Sequence, residues 1–189
     1  RKKKEEKEEK INYFKMKTLI ILSFILISLD GFSQTSSVLF VGNSYTAANN
    51  LPLLTSQVAT SAGYTLNYSA QTPGGAQLNQ HATNSAVIGA IFSQKWDHVV
   101  LQEQSQKPSF NPAYVAANVF PFAKQLCDTI RVNDSCTRPI FYMTWGRKFG
   151  DAGNCSASPW LCTYDGMDSA LAVSYNSMGK QNDAFVSPV

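Results

Sequence analysis

The chain has 189 residues, with 16 Lys and Arg against 13 Asp and Glu and two histidines, for a formal net charge of +3. Residues 1–34 hold eight of the basic and five of the acidic residues, a net of +3, so the remainder balances at eight against eight. A neutral body without a basic stripe argues against nucleic-acid binding, which needs clustered Lys and Arg to displace counterions.

Residues 1–15 are a mixed charge run, read as an upstream segment or an extended basic region rather than part of a domain. Met16-Lys17-Thr18 then opens an apolar block from Leu19 to Leu29, followed by Gly31-Phe32-Ser33 before Gln34. A basic start, an apolar run of this length and small residues before a cut predict a secretory signal peptide over residues 16–34. The block is too short for a comfortable membrane span, and no cysteine follows it to carry a lipid. A secreted or periplasmic protein is expected, with residues 35–189 as one domain.

In chain order, the body alternates short apolar runs with helical patterns. Strands are expected over 38–41, 65–69, 98–102, 139–144 and 184–187, and helices over 51–61, 85–92, 112–130 and 167–178. Alternation of this kind predicts right-handed crossovers and a three-layer α/β fold, with a mostly parallel five-stranded sheet covered by helices on both faces. Ligands in such sheets bind beyond the carboxyl ends of the strands. The candidate site segments are therefore 42–46, 71–76, 102–108 and 144–148.

The first of these follows Val38-Leu39-Phe40-Val41, an apolar run that reads as a strand buried on both faces. Gly42-Asn43 takes a tight turn and holds Ser44 up, ahead of a helix starting near Asn50. A serine there exposes its hydroxyl, and its backbone N–H lies near a helix N-terminus where a developing oxyanion is stabilised. The same segment also reads as an ordinary strand-to-helix turn capped by Ser or Thr. The second segment, Thr72-Pro73-Gly74-Gly75-Ala76, lets a backbone N–H approach a ligand without a side chain in the way, or is a plain turn. In the third, Gln102-Glu103-Gln104 places amide side chains at the end of a buried strand, where they satisfy loop backbone or aim a donor into the site.

Taken together, these segments resemble the SGNH hydrolases, the GDSL-type esterases and acylhydrolases, from Val38 to the end of the chain. The resemblance implies the flavodoxin-like SGNH fold, Ser44 as nucleophile with its own N–H as an oxyanion donor, and Gly75 or Gly74 as the second donor. The family's third block carries an asparagine in a Gly-x-Asn-Asp run. Here the glutamine run stands in its place, closer to the Gln-Gly-Glu of some carbohydrate acetylesterases, which implies Gln102 first and Gln104 next as the amide donor. Asn43, Tyr45 and Trp145 are candidate pocket residues. Trp160 and Tyr164, beside a cysteine pair, could stack on a sugar, although core packing is the commoner fate of a tryptophan.

The family's base is the histidine of an Asp-x-x-His block near the C-terminus, which this chain lacks. His81 reads as a helix histidine, and His98 as a strand-entry histidine at the wrong edge of the sheet. The final strand is followed directly by Pro188 and Val189. The expectation is a fragment of a longer reading frame, with the C-terminal part of the fold and its base beyond Val189, and a polypeptide nearly inactive on its own.

In an exported protein the even set Cys127, Cys136, Cys155 and Cys162 favours disulfides over zinc. Three pairings are open, and the local ones, Cys127 with Cys136 and Cys155 with Cys162, are preferred because each closes a short polar loop. Asp151-Ala152-Gly153-Asn154 reads as a loop, and no metal or cofactor is expected. The function expected is an exported serine ester hydrolase acting on a small-molecule or carbohydrate ester, a carbohydrate deacetylase among the options. A non-catalytic glycan-binding domain is the alternative. A flavodoxin-like phosphate binder is disfavoured because no Gly-Lys-Ser/Thr or Gly-x-Gly-x-x-Gly is present.

Overall fold

The computed structural model describes residues 13–17 and 34–188. The chain divides into two units, Arg1–Gln34 and Thr35–Val189. In the first, residues 13–17 are helical with exposed side chains, and the expected signal segment falls largely outside the described residues. Among the described residues no helix is long and apolar enough to cross a membrane.

The second unit is a five-stranded parallel sheet in the order β2-β1-β3-β4-β5. Its strands are β1 (Thr35–Val41), β2 (Thr65–Gln71), β3 (His98–Leu101), β4 (Arg138–Tyr142) and β5 (Phe185–Ser187). The helices are α1 (Ser44–Ala47), α2 (Leu51–Ser61), α3 (Leu78–His81), α4 (Ser85–Phe92), α5 (Pro112–Asn118), α6 (Phe120–Asn133) and α7 (Tyr164–Gln181). The three-layer α/β architecture is the one expected.

One expected helix, 112–130, is two. Val119 leaves helical geometry at φ −121°, and α6 restarts with Pro121 in its first turn, a position where the missing N–H has no helical partner to lose. A second departure follows from α6 running on to Asn133. Cys127 then sits fully buried on its core face while Cys136 lies beyond its end, exposed, so these two thiols are free. Six helical residues separate Cys127 from the end of α6, about 9 Å of rise. Burial pushes the Cys127 thiol up to about 12. The other preferred pair, Cys155–Cys162, is bonded.

Alternation along the strands sorts the sheet into two faces. Leu39, Val41, Val99, Leu101 and Phe141 meet Val87 and Ile91 of α4, Leu126 and Ile130 of α6, and Leu171 and Met178 of α7 in one core. Each fully buried aliphatic side chain there contributes on the order of 2 kcal/mol. On the opposite face, Leu51 and Thr55 of α2 border an apolar groove with Val38, Phe40, Val100 and Ile140.

The strand order places the site. The chain runs outward from β1 to β2, then returns to β3 on the other side of β1. The loops after β1 and β3 therefore diverge at a topological switch point, where a crevice opens beyond the carboxyl ends. Val41 pairs with Leu101, so Gly42 and Gln102 leave the sheet side by side.

Candidate functional site

Ser44 opens α1 directly, earlier than the helix expected near Asn50. Asn43 caps this helix, its Oδ1 accepting from the Tyr45 N–H at 3.0 Å. The cap is thus neither the Ser nor the Thr of the turn. Ser44 is exposed, and among the described residues neither its hydroxyl nor its N–H has a hydrogen-bond partner. Gly42 is required by crowding, since a Cβ there would fall inside contact distance of both Thr46 Oγ1 and Gln102 Oε1.

The second segment is drawn against the first by two bonds. Asn43 Nδ2 donates to the Ala76 carbonyl at 2.9 Å, and His81 Nε2 lies 2.9 Å from the Gly42 carbonyl oxygen. A carbonyl only accepts, so His81 carries its hydrogen on Nε2, and Nδ1 is buried without a partner. Burial pushes the His81 pKa below 6.5, partly offset by the bond to Gly42. Gly75 has φ +69°, a left-handed conformation that favours glycine. Open space faces both Gly74 and Gly75, and the Gly75 N–H is likewise unpartnered among the described residues.

Gln102 stands elsewhere than expected. It is fully buried, and its Oε1 accepts from the Asn43 N–H at 3.0 Å and from the Thr46 hydroxyl at 2.8 Å. An N–H can only donate, so this fixes which end of the amide is oxygen. The Gln102 nitrogen turns inward to the Glu103 carbonyl. Gln102 is therefore a brace beneath the Ser44 turn, with no donor aimed past it.

Gln104 is half-buried and differently engaged. Its Oε1 accepts from the N–H groups of Gln106 and Lys107 at 3.0 and 3.2 Å. Its Nε2 has only a long contact to Ser105 Oγ at 3.5 Å, leaving donor capacity. Between the two glutamines, Glu103 is buried and accepts from Leu78 N–H and Gln104 N–H. Burial pushes its carboxyl up to about 7, against the two amide bonds and the nearby Lys107 ammonium.

The fourth segment supplies a wall. The Trp145 ring lies 4.9 Å from that of Tyr45, tilted by 38°, and Thr144 Oγ1 donates to the Ser105 carbonyl at 3.1 Å. Tyr164 packs on Gly146 next door. Trp160 points away from this pair: its indole N–H donates to the Ser109 carbonyl at 2.8 Å, and its ring borders a separate apolar cleft with Phe110 and Phe120. Asp151 pairs with Arg147 at 3.3 Å and accepts from Asn154 Nδ2 at 2.8 Å, which organises its own loop. No group of three or more metal-ligating side chains occurs among the described residues. His98 begins β3 at the amino edge of the sheet, opposite Ser44.

The structure thus brings together Asn43, Ser44, Tyr45, Gly74, Gly75 and Trp145, puts Gln102 beneath them, and holds Gln104 on the neighbouring loop after β3. Sequence reasoning missed Thr46 and the roles of His81 and Glu103. The available signal was polar residues in segments whose apolar neighbours demanded burial.

No protein-family model matches the chain, and a search of curated proteins gave no match. Solved structures do match. A candidate SGNH hydrolase from Slackia heliotrinireducens superposes with a TM-score of 0.66 at 22% identity, covering 82% of this chain and 79% of that one. The acetyl xylan esterase AlAXEase gives 0.55 at 14%, covering 79% and 75%. The psychrotrophic esterase EstA from Pseudoalteromonas sp. gives 0.52 at 8%, covering 82% and 77%. At these identities the likeness concerns the backbone: residues 35–188 have an SGNH hydrolase-like fold.

Proposed function

We propose that this chain carries the nucleophile and oxyanion donors of an exported serine ester hydrolase that works through an acyl-enzyme at Ser44. The observation that carries this reading is the pair of N–H groups, Ser44 and Gly75, without partners among the described residues, on loops clamped together by Asn43 beside an exposed serine hydroxyl. Both residues are exposed, so the two N–H groups face the crevice, and preorganised donors that the fold does not use suit a charge that develops only during reaction. In the proposed step Ser44 Oγ bonds to the acyl carbon, the ester C–O bond breaks, and the alcohol leaves with the serine's proton, relayed by a base. Water then cleaves the acyl-enzyme. Gln104, with its spare Nε2–H, is the proposed third donor.

Neither histidine serves as that base. His81 gives its Nε2 hydrogen to the Gly42 carbonyl, and His98 is at the opposite edge. The reading therefore requires a base from outside the described residues. The Tyr45 and Trp145 rings, packed on one another, would form one wall for an acetylated sugar, which makes carbohydrate deacetylation the proposed form of the activity. The Cys155–Cys162 disulfide accords with an oxidising compartment.

The test is Ser44→Ala in the full-length protein, with release of acetate from p-nitrophenyl acetate and from acetylated xylo-oligosaccharides as the readout. A loss of at least about a thousandfold is expected, together with an organophosphonate adduct mapped to Ser44 in the wild type. Undiminished hydrolysis in the variant would overturn the mechanism. Glycan binding without any hydrolysis would favour a non-catalytic domain on the same fold.

A further inference from the structure

Three loops meet at the candidate site, and side chains tie them in pairs. Asn43 joins the Ser44 loop to the glycine-pair loop through the Ala76 carbonyl, as His81 does through Gly42. Gln102 joins the loop after β3 to the Ser44 loop. The remaining pair, the glycine-pair loop and the loop after β3, is tied by Glu103. We propose that Glu103 is a positioning residue: its carboxylate holds the Leu78 and Gln104 backbone N–H groups together and so sets where the Gln104 side-chain amide stands relative to Ser44. This rests on the reading of Ser44 as the nucleophile.

The geometry is specific. Glu103 is 1% exposed, a rare setting for a carboxylate without an arginine partner. Its Oε1 accepts from Gln104 N–H at 2.5 Å and from Leu78 N–H at 3.2 Å, and its Oε2 lies 3.3 Å from the same Leu78 nitrogen. Leu78 begins α3, directly after the glycine-pair loop, and Gln104 is the residue whose side-chain nitrogen remains underused. Both donors meet on Oε1, and the negative charge strengthens the two bonds together, whereas protonation at Oε2 leaves Oε1 a weaker, neutral acceptor for both.

The surroundings sharpen the role. Lys107 faces Glu103 from its own loop, though its ammonium also engages Gln77. The buried Tyr175 hydroxyl approaches from α7, and the titratable group of α3, His81, is turned to Gly42. Desolvation outweighs the two amide bonds and the Lys107 charge and raises the carboxyl from 4.5 to about 7. A raised carboxyl lends stability below its unfolded value and loses it as pH rises to the folded one. Above pH 7 the charged clasp therefore opposes folding, while it is the charged form that holds both amides.

The test follows the backbone amide resonances of Leu78 and Gln104 in the 15N-labelled full chain from pH 5 to 9, beside kcat and KM for p-nitrophenyl acetate. In the wild type both amides should shift together with a midpoint of about 7, and in Glu103→Gln neither should. Glu103→Gln should lower kcat about tenfold to a hundredfold with little change in KM, the scale of a misplaced catalytic group, and Glu103→Asp should recover part of it. A melting temperature for Glu103→Gln at pH 8 at or above that of the wild type would show that the loss is not unfolding. Amides that do not titrate overturn the clasp. So does wild-type kcat in Glu103→Gln while Ser44→Ala is inactive. Hydrolysis that survives Ser44→Ala overturns the nucleophile instead, and the amide titration then decides the clasp alone.

Discussion

The two edges of this sheet are made by the same strands and treat polar groups in opposite ways. At the carboxyl edge Asn43, Thr46, His81, Gln102 and Glu103 are each at most 2% exposed, and their polar atoms hold the loops to one another. At the amino edge Thr137 is buried on the Trp96 carbonyl, but the charged groups are only partly covered or exposed. Lys95, with a side chain 82% exposed, approaches Asp134 only at 3.9 Å, and Asp97 accepts from the Ser37 N–H and hydroxyl at 2.7 and 2.9 Å. Those two bonds hold the Asp97 carboxyl below its ordinary value in a setting where solvent screens the gain. Buried polar networks are costly unless fully satisfied, and when satisfied they fix one geometry. The edge that carries such a network is the one built to hold atoms in place.

Breaking the network at its centre should have the largest effect on folding. Gln102→Ala removes the acceptor of the Asn43 N–H and the Thr46 hydroxyl and leaves a cavity beneath the Ser44 turn. The expected loss is about 2 to 5 kcal/mol in urea unfolding, with the hydrolytic activity falling alongside it. Lys95→Ala at the amino edge should stay within about 0.5 kcal/mol. Equal effects at the two edges would remove the distinction drawn between them.

The scaffold was legible because its signals are local. Apolar runs bounded by turn residues located all five strands, and the helices over 51–61 and 85–92 fall where the pattern put them. The break at Val119 was not legible, since Pro121 fits the first turn of a new helix as readily as it interrupts an old one. Within the site, Gly42, Ser44 and Gly75 could be picked out because a tight turn, an exposed hydroxyl and a left-handed backbone are properties of short segments. The orientation of Gln102 is not such a property. Its amide is aimed by a backbone N–H 59 residues away, and only the register of β1 against β3 brings them together.

The cysteines divide along the same line. Cys155 and Cys162 close a loop at the carboxyl edge that carries Trp160 and the fully buried Leu161, whereas Cys127 and Cys136 precede the amino edge of β4 unpaired. Replacing both bonded cysteines with serine should cost about 2.5 kcal/mol, the chain-entropy value for a loop of this length. Thiol titration of the folded wild type should find one reactive group, Cys136, and a second, Cys127, only on denaturation. Two reactive thiols in the folded protein would mean that the helix end does not bury Cys127.

The smallest expected effect is a pH dependence that isolates His81. Its folded pKa lies below the ordinary 6.5 because burial disfavours the imidazolium, so its neutral form favours the native state, and that contribution is lost as pH falls below 6.5. Glu103, raised from 4.5 to about 7, acts in the opposite sense over an overlapping range, so the melting curve of the wild type alone cannot separate them. The difference between His81→Gln and wild type can, because Glu103 is common to both. Glutamine can still donate to the Gly42 carbonyl but cannot take up a proton at neutral to mildly acidic pH. The melting temperature of the variant relative to wild type should therefore stay level from pH 8 to about 7 and rise as pH falls through 6.5 toward 5. A difference that does not change with pH would mean that the buried Nδ1 is open to solvent, and the carboxyl edge would then be less tightly closed than its hydrogen bonds require.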